Sequence, residues 1–339
     1  MKDLSTKYMG IKLKNPIIAG ASGLTANLDK IQEMEAAGVG AIVLKSLFEE
    51  QIQLQRYRDE LEGEITSARS AEMIGPAIPD QDYSGPKEHL YWVKRAKEAV
   101  GVPVIGSLNA VDRETWLDYA LKLADTGIDG LELNFYAVPK DFAKTGTSIE
   151  DEQIELLKEI SSRINIPVAV KLSNLYTNPL QVVQRMSKTG IAGIVLFNRF
   201  FEPDIDVEKM ENIFPLNLSK PQDHRHVLRY TGLLSQQIPT EICSSGGIFS
   251  AADVIKMILA GANAVQIVSA LYEHGTKHIA TILSGIEAWM SQKGYNSLAD
   301  FQGSMNKLNS KDHWAYSRAQ YVRILMESPE HLRRNKTDI

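Results

Sequence analysis

The chain has 339 residues, of which 44% are apolar and 23% charged, and its formal net charge is -5. This composition indicates a globular protein with a large core, and the negative charge argues against a nucleic-acid partner. A single cysteine excludes an internal disulfide framework and indicates a reducing compartment. Since no apolar run reaches the roughly 18 residues of a membrane-spanning helix, we expect a soluble, cytoplasmic protein with no membrane partner.

Eight short apolar runs divide the chain, and each has the length of a buried strand in a parallel sheet. In four of them a glycine closes a helical pattern, an apolar run follows, and a polar residue ends it. These four phrases are "AAGVGAIVLKS", "DTGIDGLELNF", "KTGIAGIVLFN" and "LAGANAVQIVS". The eight predicted strands lie within residues 15–22, 36–46, 102–108, 125–135, 166–173, 188–198, 239–247 and 259–269.

Helical patterns separate most of these strands. They lie near residues 28–37, 87–99, 113–125, 151–163, 179–188, 227–237, 250–260 and 275–293. Strands alternating with helices predict an α/β protein with a closed (β/α)8 TIM barrel, and an open doubly wound sheet is the alternative. We expect a single barrel domain over residues 1–310, with 46–86 as a long loop or lid, and a helical tail over 311–339.

Functional residues of such barrels lie at the carboxyl ends of the strands. The predicted strand ends converge on one mouth and carry Ser22, Lys45, Ser46, Ser107, Asn134, Lys171, Asn198, Gly246, Gly247 and Ser269. A lysine in this position can form a Schiff base with a carbonyl substrate, or it can stabilise negative charge on a reduced ring. The residues alone leave both uses open.

The segment "SSGGIFSAADVIKMILAGANAVQIVSAL" predicts a phosphate site. Gly246 and Gly247 permit a tight turn after the seventh strand, and Ser250 can cap the helix that begins at Ala251. The eighth strand ends beside this turn at Val268 and Ser269. Cys243 lies within the seventh strand, where a small core residue is expected.

Several motifs together resemble the dihydroorotate dehydrogenase family over nearly the whole chain. They are "NPIIAGASG", "VLKS", "LELN", "VAVKLS", the phosphate segment quoted above and "GYNSLADFQG". The closest likeness is to the class without N-terminal membrane-associating helices. The resemblance implies an FMN-dependent barrel that oxidises dihydroorotate in pyrimidine biosynthesis, moving a hydride to flavin N5, and a homodimer.

The resemblance also implies roles for individual residues. Lys45, Asn134 and Lys171 are the expected catalytic residues, and Lys45, Asn134 and Asn198 the expected substrate contacts. The expected flavin contacts are Ala21, Ser22, Lys45, Ser46, Ser107, Asn134, Lys171, Asn198, Gly246, Gly247, Val268 and Ser269. No metal site is expected, since no ligand spacing such as HExxH occurs.

Three departures from the family pattern put its substrate in doubt. The family places a Cys or Ser base three residues after the strand-4 asparagine, and that position is Ala137 here. Tyr136 and Lys140 are the nearest titratable replacements, although ordinary tyrosine and lysine are protonated near neutrality. An asparagine-rich substrate clamp after strand 2 is absent. The glycine-rich phosphate loop after strand 6 is replaced by a segment with His224, Arg225, His226 and Arg229, whose side chains could bind the phosphate in its place.

Four functions therefore remain in view. The first is an FMN oxidoreductase for dihydroorotate or a similar dihydropyrimidine, and the second is an FMN oxidoreductase for another substrate. The third is a flavin-free lyase or isomerase that uses Lys45 or Lys171 as a Schiff base. The fourth is a barrel that binds flavin or a partner without turnover.

Overall fold

The computed structural model describes residues 2–63, 85–137, 141–312 and 314–326, and the side chains of 58–63 are not described. The chain begins with an antiparallel hairpin of β1 (Thr6–Tyr8) and β2 (Ile11–Leu13). It continues with β3 (Ile17–Ala19), α1 (Leu28–Ala36), β4 (Ala41–Val43), β5 (Leu47–Phe48), α2 (Glu49–Gly63), α3 (Pro86–Ala99), β6 (Val104–Asn109), α4 (Arg113–Ala124), β7 (Gly130–Phe135), α5 (Gly146–Arg163), β8 (Val168–Leu172) and α6 (Pro179–Met186).

The second half continues the alternation. Its elements are β9 (Gly193–Leu196), β10 (Asp204–Asp206), β11 (Glu211–Ile213), α7 (His224–Leu234), β12 (Glu241–Ser245), α8 (Ala251–Ala260), β13 (Ala264–Ile267), α9 (Ser269–His274), α10 (His278–Lys293) and α11 (Arg318–Met326).

Eight parallel strands close into a barrel. Their order is β4, β3, β13, β12, β9, β8, β7, β6, and β6 pairs again with β4. Because β4 has a parallel partner on both sides, the sheet has no open edge in this ring. The predicted (β/α)8 barrel is confirmed, and the open doubly wound sheet is excluded.

Glycines end the helices where the repeated phrases predict them. Gly38, Gly127, Gly190 and Gly261 have φ values of +97°, +84°, +93° and +107°. L-residues with a Cβ rarely adopt this left-handed region, so glycine allows the chain to turn directly from helix into strand. This confirms that the four phrases are helix, cap and buried strand.

The lower end of the barrel is closed by the β1–β2 hairpin. Tyr8 and Met9 are each 1% exposed and pack among small residues of the barrel interior. A Cβ at Gly130 or at Gly193 would lie 2.9 Å from the Met9 side chain. These two glycines therefore make room for the side chains of the β1–β2 hairpin. The barrel stays open at the carboxyl ends of the strands.

Some elements differ from the predicted pattern. The segment 46–86 begins with β5 and α2, and its remainder, residues 64–84, lies outside the described residues. An excursion after β9 forms the β10–β11 hairpin, which the sequence patterns did not predict. Within 311–339 the structure contains α11, and residues 327–339 are outside the described part. The domain division, including the lid, stays a prediction.

Candidate active site

A cavity of about 360 Å³ opens at the carboxyl ends of the barrel strands. Its size is within the range of small-molecule sites. Nine of the predicted site residues line it, namely Ala21, Ser46, Asn134, Lys171, Asn198, Gly246, Gly247, Val268 and Ser269. The structure therefore brings most of the predicted residues to one place. Ser22, Lys45 and Ser107 do not line the cavity.

Ser107 supports the cavity wall from behind. It is fully buried, its hydroxyl oxygen lies 2.7 Å from that of Ser46, and it accepts a 2.8 Å hydrogen bond from the Asn134 amide. The same amide nitrogen also donates to the carbonyl of Leu108, at 3.2 Å. Since a carbonyl can only accept, the amide nitrogen must face Leu108, and Asn134 Oδ1 remains to accept a hydrogen bond from a ligand.

The second predicted lysine, Lys171, is buried at the tip of β8. Its ammonium donates to Gln266 Oε1 at 2.8 Å and lies 3.7 Å from Glu132 Oε1. The Gln266 amide in turn donates to the other oxygen of Glu132. Lys171 is thus held in one position, with a positive charge at the cavity wall, which suits stabilisation of an anionic ring.

The predicted phosphate turn is present. Gly246 and Gly247 have φ values of +107° and +68°, and Ser250 caps α8 as predicted, in a capping box with Asp253. A third loop also reaches this turn. The Ser219 hydroxyl accepts from Gly247 N–H at 3.2 Å and donates to Ser269 Oγ at 2.8 Å. The Gly247 N–H is therefore engaged by Ser219, and Ser219 adds a hydroxyl to the site.

Gly247 should tolerate no side chain. A Cβ there would overlap the backbone nitrogen of His224 and lie 2.8 Å from the Lys220 carbonyl oxygen. Gly10 has a similar φ, +75°, and open space around it. We expect Gly10→Ala to lower the free energy of unfolding by about 1 kcal/mol, from backbone strain alone. Gly247→Ala should cost roughly 1–3 kcal/mol more, since overlap is added. Urea unfolding of both variants measures the difference, and equal losses would contradict the packing argument.

Aromatic residues form part of the cavity wall. Tyr136 and Phe200 stack with ring centroids 3.7 Å apart and an interplanar angle of 17°, and both line the cavity. Of the two candidate bases, Tyr136 and Lys140, the structure describes only Tyr136, because Lys140 lies outside the described residues. Ala137, at the family's base position, is half-buried directly after Tyr136.

Lys45 does not line the cavity, and its predicted place between cofactor and substrate stays a prediction. It is exposed, and its charge acts on His89 of α3, which is 6% exposed. Burial, and then the nearby Lys45 charge, lower the pKa of His89 to about 4. His89 Nε2 has no hydrogen-bond partner among the described residues. His89 is therefore a neutral, buried residue at physiological pH.

This histidine should make the protein sensitive to acid. The pKa of His89 is about 4 when folded and about 6.5 when unfolded, so the unfolded state binds more protons as pH falls. The contribution of neutral His89 to the free energy of unfolding is fully present above pH ~6.5 and is lost towards pH ~4. The loss amounts to roughly 2–3 kcal/mol between pH 7.5 and 4.5. We expect His89→Leu to flatten the pH dependence of urea unfolding over this window. An unchanged slope would exclude His89 as its source.

The basic residues that follow the β10–β11 hairpin separate into two groups. His224 contacts the Pro221 carbonyl and Asp253, and Arg229 donates to Gln320 of α11 at 3.1 Å. Arg225 and His226 line a second cavity of about 490 Å³, which shares a wall with the first. Burial, followed by the Arg229 charge, lowers the pKa of His226. None of the four lines the first cavity, so the idea that they hold its phosphate gains no support there.

Sequence reasoning missed several lining residues: Phe48, Asn109, Arg199, Phe200, Phe201, Asn217, Ser219, Ser245 and Gln266. Gln266 carried a signal, because it is an amide in the otherwise apolar strand β13. Arg199 and Asn217 are brought together by the hairpin, where Arg199 Nε donates to the Asn217 carbonyl at 2.7 Å. No local pattern indicates such a contact.

The protein-family model described as dihydroorotate dehydrogenase matches residues 85–290, which is more than half of the chain. The chain belongs to the dihydroorotate dehydrogenase family. The likeness that the motifs indicated is thereby confirmed, and with it an oxidoreductase on a (β/α)8 barrel.

Family members of two kinds are similar to the chain along almost their whole length. The catalytic subunit of dihydroorotate dehydrogenase B (NAD(+)) from Thermoplasma acidophilum is 28% identical over 314 residues, covering 89% of this chain and 99% of that protein. Dihydroorotate dehydrogenase A (fumarate) from Lactiplantibacillus plantarum is 26% identical over 303 residues, covering 88% and 97%. Similarity to both kinds leaves the electron acceptor of this chain open.

Within the described ranges, no helix is long and apolar enough to cross a membrane. The same residues contain no group of three or more His, Cys, Asp or Glu side chains placed to hold a metal ion. The single cysteine, Cys243, is fully buried in β12, in agreement with its predicted core role.

Proposed function

We propose that the chain is an FMN-dependent oxidoreductase that oxidises dihydroorotate, or a closely similar dihydropyrimidine acid, to its unsaturated product, the step that supplies orotate to pyrimidine biosynthesis. The observation that carries the proposal is the meeting of a glycine turn, a buried lysine and an asparagine whose oxygen is left to accept from a ligand, all in one cavity. Each belongs to a motif by which the chain resembles its family. We further propose a cytoplasmic homodimer that needs no membrane or nucleic acid.

The residues present fit FMN. The Gly246–Gly247 turn, with Ser219, Val268 and Ser269, suits the phosphate, because the glycines leave space there, the Ser269 hydroxyl accepts from Ser219 and can itself donate, and the described lining residues include no acidic side chain. Lys171 suits the ring, because its ammonium is fixed at the wall of the same cavity. When bound, FMN supplies an acceptor for a hydride from a carbon of the substrate.

The chain's own residues position the substrate and its charge. Asn134 Oδ1 accepts a ring N–H, and Asn198 adds an amide from the loop after β9. Lys171 and Arg199 are the charged side chains among the described lining residues, and both are cations. A carboxylate-bearing substrate is therefore favoured over a neutral one. Arg199 is already paired with Asp223 at 2.8 Å, and Lys171 lies 3.7 Å from Glu132, so the neutral amides share in holding the carboxylate.

The reaction must also remove a proton from the carbon next to the one that loses the hydride. Ala137 cannot accept it, since its side chain has no basic atom. Tyr136 borders the cavity, stacked on Phe200, and is the nearest described titratable group in this loop. Because position 137 carries no base, we expect slow turnover of dihydroorotate.

A second candidate is an FMN oxidoreductase for another unsaturated or cyclic substrate. Two observations favour it: the stacked rings of Tyr136 and Phe200 occupy part of the cavity wall, and the base is missing. Such a protein needs a substrate that gives or takes a hydride without help from position 137. A barrel that binds flavin without turnover follows from the same two observations.

An anaerobic titration tests the proposal. The visible spectrum of the purified protein is recorded, and dihydroorotate is then added. A flavin band that bleaches supports dihydroorotate oxidation. A band that stays oxidised with dihydroorotate but bleaches with dithionite supports the second candidate. A protein that has no flavin and binds none overturns the assignment of FMN.

A further inference from the structure

A buried carboxylate lies beneath the cavity, and the proposed reaction does not use it. Glu132 is 1% exposed on β7, two residues before Asn134, so both side chains point into the barrel. A charged carboxylate in such a place is costly unless a partner compensates it. The described residues provide one cation within reach, Lys171.

The contacts form a closed triangle. Lys171 Nζ lies 3.7 Å from Glu132 Oε1 and donates to Gln266 Oε1 at 2.8 Å, while the Gln266 amide donates to Glu132 Oε2. Glu132 Oε1 has no hydrogen-bond partner among the described residues. Glu132 and Lys171 therefore interact mainly through charge, and Gln266 fixes the distance between them.

The charge of Glu132 also affects the pKa values of neighbouring groups inside the barrel. Burial, and then Glu132, raise the pKa of the Cys243 thiol, whereas Lys171 lowers it. Burial is also the main cause that raises the pKa of Tyr8, and Glu132 adds to it. The charge of Glu132, which acts on these side chains, would also act on a flavin ring bound against Lys171.

We propose that Glu132 is a positioning residue that sets the reduction potential of the bound flavin, because it fixes the Lys171 ammonium through Gln266 and offsets its charge. The proposal rests on the proposed function, since it assumes that flavin occupies the cavity. A lysine alone would stabilise the negative charge of the reduced ring strongly. The carboxylate beside it weakens that stabilisation and keeps the flavin able to pass electrons on.

A purely structural ion pair would give a different pattern. Its removal would change the stability of the protein and leave the flavin potential where it was. The potential is therefore the decisive quantity, and thermal unfolding is recorded beside it.

The test is a double-mutant cycle with Glu132→Gln, Lys171→Met and the double variant, each loaded with FMN and titrated against redox dyes. We expect Glu132→Gln to shift the midpoint potential to more positive values and Lys171→Met to shift it to more negative values. Each shift should amount to at least a tenfold change in the ratio of reduced to oxidised flavin, about 30 mV for a two-electron couple. The double variant replaces one neutral pair by another and should lie between the two.

Two further variants separate charge from packing. Glu132→Asp keeps the carboxylate and should stay close to the native potential. Glu241→Gln removes a carboxylate from the opposite end of the barrel, where it accepts a hydrogen bond from Gly10 N–H, and should not move the potential.

The outcomes are distinct. A bound flavin with the same potential in native protein and Glu132→Gln overturns this inference alone. A protein that binds no flavin overturns the proposed function and the inference with it. If Glu132→Gln does not fold, the comparison of Lys171→Met with the double variant decides. That pair differs only at residue 132. The double variant leaves no buried charge unpaired, whereas Lys171→Met leaves Glu132 without its cation, so the two potentials are compared over a pH series up to about 9, where even a buried carboxyl is ionised.

Discussion

Ala137→Cys should raise the rate at which dihydroorotate reduces the bound flavin by roughly 10²–10⁴-fold, the usual contribution of a general base. Residue 137 directly follows Tyr136, which lines the cavity, and it is half-buried, so a thiol there would lie beside the cavity and be partly shielded from water. The rest of the site is already in place, since Asn134 and Lys171 are held by fixed partners. Anaerobic stopped-flow absorbance measures the rate directly.

The matched control for this change is Phe142→Cys. Phe142 lies in the same loop but is fully exposed, so its thiol adds the same chemistry in the wrong place. Ala137→Ser provides the family's other base and should give a smaller increase. If Ala137→Cys and Phe142→Cys are equally slow, the scaffold does not hold dihydroorotate in a reactive position, and the second candidate function is favoured.

The barrel could be predicted from the sequence because its elements are specified locally. Each of Gly38, Gly127, Gly190 and Gly261 adopts the left-handed conformation that its position in the phrase required. Buried parallel strands follow them as continuous apolar runs, which no competing element explains. The count of strands and the helices between them then favour the (β/α)8 barrel, and the pairing of β6 with β4 in the structure excludes the open sheet.

The site could be predicted only where it follows the strands. Ser46, Asn134, Lys171 and the Gly246–Gly247 turn lie at strand ends, and the barrel brings strand ends together. Ser219 could not be placed, because it reaches the glycine turn from a loop that begins at a different strand.

For Lys45 the sequence indicates the position in the chain but not the direction of the side chain. Its strand-end position was identified correctly, but the direction of a long side chain depends on its surroundings, and here it lies near buried His89. The stack of Tyr136 on Phe200 is equally invisible in the sequence, because 63 residues separate the two rings along the chain. Contacts of this kind decide specificity, and only the folded chain shows them.

Asn134→Leu should lower kcat/KM for dihydroorotate by roughly 5–150-fold, equivalent to about 1–3 kcal/mol. The asparagine amide donates to Ser107 Oγ and to the Leu108 carbonyl, so its Oδ1 is the atom left for a ring N–H of the substrate. Leucine has a similar volume and removes this acceptor, which leaves the substrate N–H buried without a partner.

Ser107→Ala separates substrate binding from support of the wall. It removes one partner of the Asn134 amide but keeps the Leu108 contact and the free oxygen, so we expect a loss of less than about tenfold. Asn134→Asp should be the most damaging of the three, because a buried carboxylate would face the Leu108 carbonyl oxygen and repel it. Steady-state kinetics of the three variants give the ranking. If Ser107→Ala costs as much as Asn134→Leu, Asn134 acts by supporting the wall, and the substrate is held by other residues of the mouth.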